Sequence, residues 1–152
     1  MKEYFEYTLK TPIKISKDGE YIDASDVVVY APRPRDKYRL LKLEADLNSA
    51  FLGVFPKINA MIDGMGNQSN SKSNSNDQIG IGSLIIQFAD GDSVGSIMYN
   101  LEQIFLAGTE DKPTITIDGV QMKKTHFDDG LHLSDLKALA GGYADHFLSL
   151  GL

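Results

Sequence analysis

The sequence predicts an α+β fold: an N-terminal antiparallel β-hairpin or small sheet packed with three to four α-helices. Strand-like runs open the chain on either side of a Gly-containing turn. A proline-bearing corner follows, and beyond it the apolar spacing changes to the threes and fours of a helix. A second hairpin signal and two further amphipathic stretches complete the pattern.

The first run is Tyr4-Phe5-Glu6-Tyr7-Thr8-Leu9, followed by Pro12-Ile13-Lys14-Ile15. Lys17-Asp18-Gly19-Glu20 supplies turn chemistry, with Gly19 free to adopt positive φ. The chain returns as Tyr21-Ile22-Asp23-Ala24 and Asp26-Val27-Val28-Val29-Tyr30, rich in β-branched residues. After Ala31-Pro32-Arg33-Pro34-Arg35, the residues Leu40, Leu43, Leu47, Phe51 and Val54 fall on one helical face. Pro34 and Asp36 are start signals, because proline lacks the N–H that a first turn leaves unpaired and a carboxylate complements the helix dipole. Pro56 kinks or divides the helix, Ile58, Met61, Ile62 and Met65 extend the stripe, and Gly64 and Gly66 end it.

Residues 67–76 contain four Asn and four Ser and no apolar side chain. Burial cannot offset the entropy of ordering such a segment, so 67–78 reads as a flexible internal loop within a single domain spanning 1–152. Ser83-Leu84-Ile85-Ile86-Gln87-Phe88 fits either a short strand or the start of a helix. Asp90-Gly91-Asp92-Ser93 precedes a helix carrying Ile97, Leu101, Ile104 and Phe105 and ending at Gly108. Thr114-Ile115-Thr116-Ile117, Asp118-Gly119 and Val120-Gln121-Met122 form the second hairpin. Ser134 is the expected N-cap of the last helix, whose apolar face is Leu136, Leu139, Ala140, Tyr143 and Phe147. Gly141-Gly142 inside it costs roughly 1 kcal/mol per glycine relative to alanine and suggests flexibility.

No apolar run approaches the ~20 residues of a membrane-spanning helix. Met1-Lys2-Glu3-Tyr4 does not begin a signal peptide, and the absence of cysteine excludes disulfides and thiolate metal sites. These features fit a cytoplasmic chain. The net charge of −6 divides into +1 over residues 1–57 and −7 over 58–152. An acidic second half repels phosphate backbones and argues against nucleic acid as a partner.

No motif points to catalysis. His126-Phe127-Asp128-Asp129-Gly130-Leu131-His132 groups two imidazoles with two carboxylates, which makes a metal-dependent enzyme one alternative. The spacing lacks the i, i+4 histidines of a helical zinc site, and Asp-Asp-Gly reads better as a turn whose side chains cap the final helix. Asp90-Gly91-Asp92 starts like a calcium loop but reaches Leu101 where the bidentate Glu belongs. Gly80-Ile81-Gly82 lacks the third glycine of a dinucleotide fingerprint, with Ile85 in its place. No catalytic, cofactor-binding or metal-ligating residue is therefore assigned. Arg33, Arg35, Lys37, Arg39 and Lys42, interleaved with Tyr38, form a basic patch that reads first as a solvated helix face. His146 falls on the exposed side of the last helix.

The remaining candidates are contact residues: Leu40, Leu43, Leu47 and Phe51 on the first helix, and Leu136, Leu139, Tyr143 and Phe147 on the last. Each stripe reads either as core or as a partner-binding surface, and Met61, Met65 and Met98 add adaptable contact area.

The opening Leu9-Lys10-Thr11-Pro12-Ile13, a turn, Asp26-Val27-Val28-Val29, and Ala31-Pro32-Arg33-Pro34-Arg35-Asp36 leading into a helix resembles the tail assembly chaperones of long-tailed bacteriophages. Leu133-Ser134-Asp135-Leu136 and Tyr143-Ala144-Asp145-His146-Phe147-Leu148 resemble the closing helix of that family. The likeness covers the first third of the chain and its end. The Asn/Ser tract and the Thr114–Met122 hairpin depart from the shortest members. The resemblance implies a non-enzymatic protein that binds the tape measure protein, helps recruit tail tube subunits in the host cytoplasm, and is absent from the mature virion. Many members also exist in a longer form made by ribosomal frameshifting. Self-association is expected of a chain that coats a long client. A structural virion component, such as a tail terminator or head–tail connector, is the other alternative.

Overall fold

A computed structural model describes residues 4–32, 37–54, 56 and 81–148. Strand β1 (Tyr4–Lys17) pairs antiparallel with β2 (Glu20–Tyr30) through a two-residue turn. Asp18 and Gly19 both adopt positive φ, 53° and 83°, the mirror-type turn whose twist matches that of the flanking strands. The second hairpin, β3 (Ile115–Ile117) and β4 (Val120–Gln121), repeats the device with Asp118 at 47° and Gly119 at 82°. β3 pairs antiparallel with β2, giving a four-stranded sheet in the order β1-β2-β3-β4. The α+β architecture expected from the sequence is therefore present.

Four α-helices are described: α1 (Lys37–Leu52), α2 (Ile81–Phe88), α3 (Gly91–Leu106) and α4 (Leu133–Phe147). The apolar run at 83–88, ambiguous in sequence, is helical, with Ile85 and Ile86 buried. Asp90 caps α3, its Oδ1 accepting the Ser93 N–H at 2.8 Å, so Asp90-Gly91-Asp92 is a helix start. α1 ends at Leu52, ahead of Pro56. The expected start signals Pro34 and Asp36, the stripe Ile58–Met65 with its glycine stop, and the loop 67–78 lie outside the described residues.

One apolar cluster joins sheet and helices. Phe5, Leu9, Ile13, Ile15, Val27 and Val29 supply the sheet side, while Phe51, Ile97, Phe105, Leu139 and Tyr143 supply the helical side. α1 packs on α3, α2 on α4, and α4 also meets β1.

Two sequence expectations about α4 need correction. Ser134 is not its N-cap. The Leu136 N–H is accepted by the His132 carbonyl at 3.0 Å, which closes the first turn one residue before Leu133 and leaves Ser134 inside the helix. Nor do Asp128 and Asp129 cap α4: its cap residue His132 makes no side-chain cap bond, and Asp128 instead pairs with Lys124 at 3.2 Å.

The glycine pair, which sequence suggests as a flexible point, is a packing site. A Cβ on Gly141 would lie 2.8 Å from Ser83 Cα and 2.7 Å from Ser83 Oγ. On the neighbouring side, a Cβ on Gly142 would lie 2.8 Å from the Phe5 ring. Gly82 answers them from α2, where a Cβ would collide with that of Ala144. Asp145 secures the contact: its carboxylate accepts the Gly82 N–H at 2.6 Å and the Ser83 hydroxyl at 2.8 Å, satisfying first-turn donors of α2 from another helix. If glycine served flexibility alone, Gly141→Ala would stabilise the fold by about 1 kcal/mol. The collision with the Ser83 backbone reverses the sign, and the variant is expected to lose about 1–3 kcal/mol in urea denaturation.

Candidate functional site

The surface feature best defined by geometry lies beside β1. Thr8 stands opposite Asp26 and Ile13 opposite Ala24, so β1 advances five residues where β2 advances two, and the surplus forms a bulge. The bulge turns the Lys10 and Thr11 N–H groups toward α4, where the Asp135 carboxylate accepts them at 3.0 and 3.2 Å. The Tyr7 hydroxyl donates to the same carboxylate at 2.7 Å. Asp135 is fully buried.

Burial alone would raise the Asp135 pKa. The Lys10 N–H, the Tyr7 hydroxyl, the Thr11 N–H and the charge of His132 together overcome it and hold the carboxyl below its ordinary range. Burial, helped by the Asp135 contact, pushes the Tyr7 phenol up to about 12, so it remains a donor throughout the neutral range.

Against the bulge lies a one-turn π-helical segment, His126–Gly130, between β4 and α4. Gly130 packs there: a Cβ would meet Ile13 Cδ1 at 3.3 Å. Between this segment and β1 runs an open groove of about 510 Å³, lined by the successive strand residues Thr11–Ser16, by Tyr21, and by His126, Asp129 and His132. His126 Nδ1 accepts the Lys123 N–H at 3.0 Å, which places the ring proton of the neutral form on Nε2. Burial and the charge of Lys123 lower its pKa, keeping it neutral at pH 7.

The metal alternative named His126, Asp128, Asp129 and His132. The structure gathers His126, Asp129 and His132 along the groove but commits Asp128 to Lys124. Among the described residues, no group of three His, Asp or Glu side chains is arranged to hold a metal ion. His146 is exposed as expected, with its ring stacked on Phe5 at 4.6 Å.

The eight contact candidates face inward. Leu47, Phe51, Leu139 and Tyr143 are fully buried, and Leu40, Leu43, Leu136 and Phe147 are half-buried against the same core. The Tyr143 hydroxyl donates to Glu44 at 3.2 Å, and burial followed by the Glu44 charge raises its pKa well above the usual phenol value. Sequence reasoning missed the opposite face of α1. Tyr38 is 85% exposed and Leu41 63%, and Ala45 and Leu52 continue the row in solvent at helical spacing. Lys42 and Asp46 flank this row and pair with each other at 3.7 Å. Of the basic patch, Arg33 and Arg35 lie outside the described residues, while Lys37, Arg39 and Lys42 are exposed on α1.

No helix among the described residues is long and apolar enough to cross a membrane. No known protein family, curated protein or solved structure matches the chain.

Replacing Asp135 by alanine strands three donors at once, with an expected loss of about 3 kcal/mol in guanidinium denaturation. The pH dependence has a definite sign. Because the folded pKa is depressed, the carboxylate's contribution is complete above the ordinary range near ~4 and is lost as pH falls through the lower folded value. The native chain should therefore lose stability in that acid window more steeply than Asp135→Ala.

Proposed function

We propose that this chain is a non-catalytic assembly chaperone of the phage tail type. It would bind the tape measure protein, assist tail tube assembly in the host cytoplasm, and leave before the virion matures. The observation that carries this reading is the second apolar face of α1. The helix follows the hairpin and proline-bearing corner that resemble the family, and Tyr38, Leu41, Ala45 and Leu52 remain in solvent although its other face is core. A row of this kind suits the apolar stripe of a helical client, whose exposed surface would otherwise drive aggregation. Weak individual contacts, multiplied over many copies along a long client, would give useful avidity while permitting release.

Co-expression with the tape measure protein tests the proposal through the soluble fraction of that client. The double variant Tyr38→Asp/Leu41→Asp should lose client solubilisation. Its own unfolding midpoint should correspond to a change within about 0.5 kcal/mol, as for exposed positions. Leu139→Asp, at a fully buried site, should instead abolish the fold. A client kept soluble by the double variant would overturn the assignment of the α1 face. Detection of the chain in purified mature particles by mass spectrometry would favour a tail terminator or head–tail connector.

A further inference from the structure

We infer that the His126 imidazole is a proton-operated latch: neutral, it caps the one-turn π-helical segment that walls the groove, and protonated, it releases the cap and the segment loosens. The latch is separate from the α1 face and does not depend on the tail-assembly reading.

The first reason is where the turn starts. Thr125 already has helical angles, φ −63° and ψ −33°, and makes no side-chain cap bond. Lys124 is helical as well, so Lys123 occupies the cap position and His126 the third helical one. A side chain at that third position can reach back to the N–H of the cap residue, a task usually met by Glu or Gln. His126 performs it here: Nδ1 accepts the Lys123 N–H at 3.0 Å, while the His126 N–H donates to the Lys123 carbonyl at 2.9 Å. Lysine has no side-chain acceptor, so the reciprocal bond of a full capping box is missing. The cap therefore rests on a ring that titrates.

The second reason is what the same residue holds downstream. The His126 carbonyl accepts the Leu131 N–H at 3.0 Å, the bond that closes the π turn, so one residue ties both ends of the segment. Phe127 is buried and stacks on Phe105 at 5.9 Å, and Gly130 packs on Ile13 of β1. Loosening the cap thus acts on a wall that touches both the helical core and the sheet.

Protonation reverses the polarity of the cap. Nδ1 gains a hydrogen and meets the Lys123 N–H donor to donor, so the bond cannot persist in place. Burial, and then the charge of Lys123, oppose a positive ring, and Lys14 of β1 and His132 add to that opposition along the groove. Asp129 favours a positive ring and, with the Tyr21 hydroxyl of β2, lines the groove into which the ring would turn. Asp128 is engaged with Lys124, which also meets Glu102 of α3. Because the folded value is depressed, the contribution of the cap is complete above the ordinary histidine value near ~6.5 and is lost as pH falls through the lower folded value. The Asp135 carboxylate responds only below ~4, so the two effects are separable.

Nitrogen-15 NMR of the whole chain between about pH 8 and about pH 4.5, with EDTA present, tests the latch. Near neutrality the His126 ring should carry its proton on Nε2. As the ring titrates, the Lys123 amide signal should move with the same midpoint, and exchange protection of the Leu131 amide should fall about five- to tenfold, as for one lost hydrogen bond. His126→Gln supplies an acceptor that does not titrate and should keep the Leu131 protection level across the range. His126→Ala should show the low protection at every pH. If His126→Ala fails to fold, the native titration and His126→Gln decide. A pH step that persists in His126→Gln, or a native titration that leaves the Lys123 and Leu131 amides unmoved, overturns the proposal. So does loss of the step in His132→Gln, since the responsible proton would then belong to His132.

Discussion

The fold turns on a single buried carboxylate. Asp135 comes from the first turn of α4, yet its three recorded donors lie on β1, more than a hundred residues earlier in the chain. Burying a carboxylate is costly unless hydrogen bonds replace the water it gives up, and the bulge in β1 supplies two backbone N–H groups that the sheet ladder cannot use. Each side of the junction thus resolves a difficulty of the other. The bulge would otherwise leave donors unpaired at the helix–sheet boundary, and the helix would otherwise hold an uncompensated charge. Junctions of this type specify position more sharply than apolar packing, because hydrogen bonds fail over a few tenths of an ångström. The placement of α4 sets that of α2 through Gly82, Gly141 and Asp145, so the carboxylate's influence extends through two helices.

The parts legible in the sequence were those governed by local rules. Both Asp-Gly turns, the apolar face of α1 and the buried side of α3 follow from backbone preference and spacing, and they appear where those rules put them. The α2 segment was ambiguous because eight residues rich in Ile and Leu satisfy both periodicities, and its helical form goes with tertiary packing, chiefly on α4, that local sequence does not show. Ser134 looked like a cap because local sequence cannot show that His132 already closes the turn. The bulge left one trace, Pro12 within a strand pattern, which marks an edge or an irregularity. Its partner Asp135 left none, since the pairing is wholly tertiary.

The candidate surfaces were harder to read for a related reason. Periodicity finds the face of a helix that is most apolar, and in α1 that face holds Leu40, Leu43, Leu47 and Phe51, which the chain uses for itself. The row left in solvent is the weaker one of Tyr38, Leu41, Ala45 and Leu52, whose exposure emerges only once the core is assembled. The glycine pair taught the same lesson in reverse. Helix propensity scores Gly141 and Gly142 as weaknesses, whereas in place they let α4 approach both Ser83 and Phe5.

The far margin of the sheet is β4, a stub of two residues that turns back from β3 and stops. A ribbon so brief offers little backbone on which a neighbour could pair. On that flank the sheet is guarded against edge-to-edge aggregation by brevity alone.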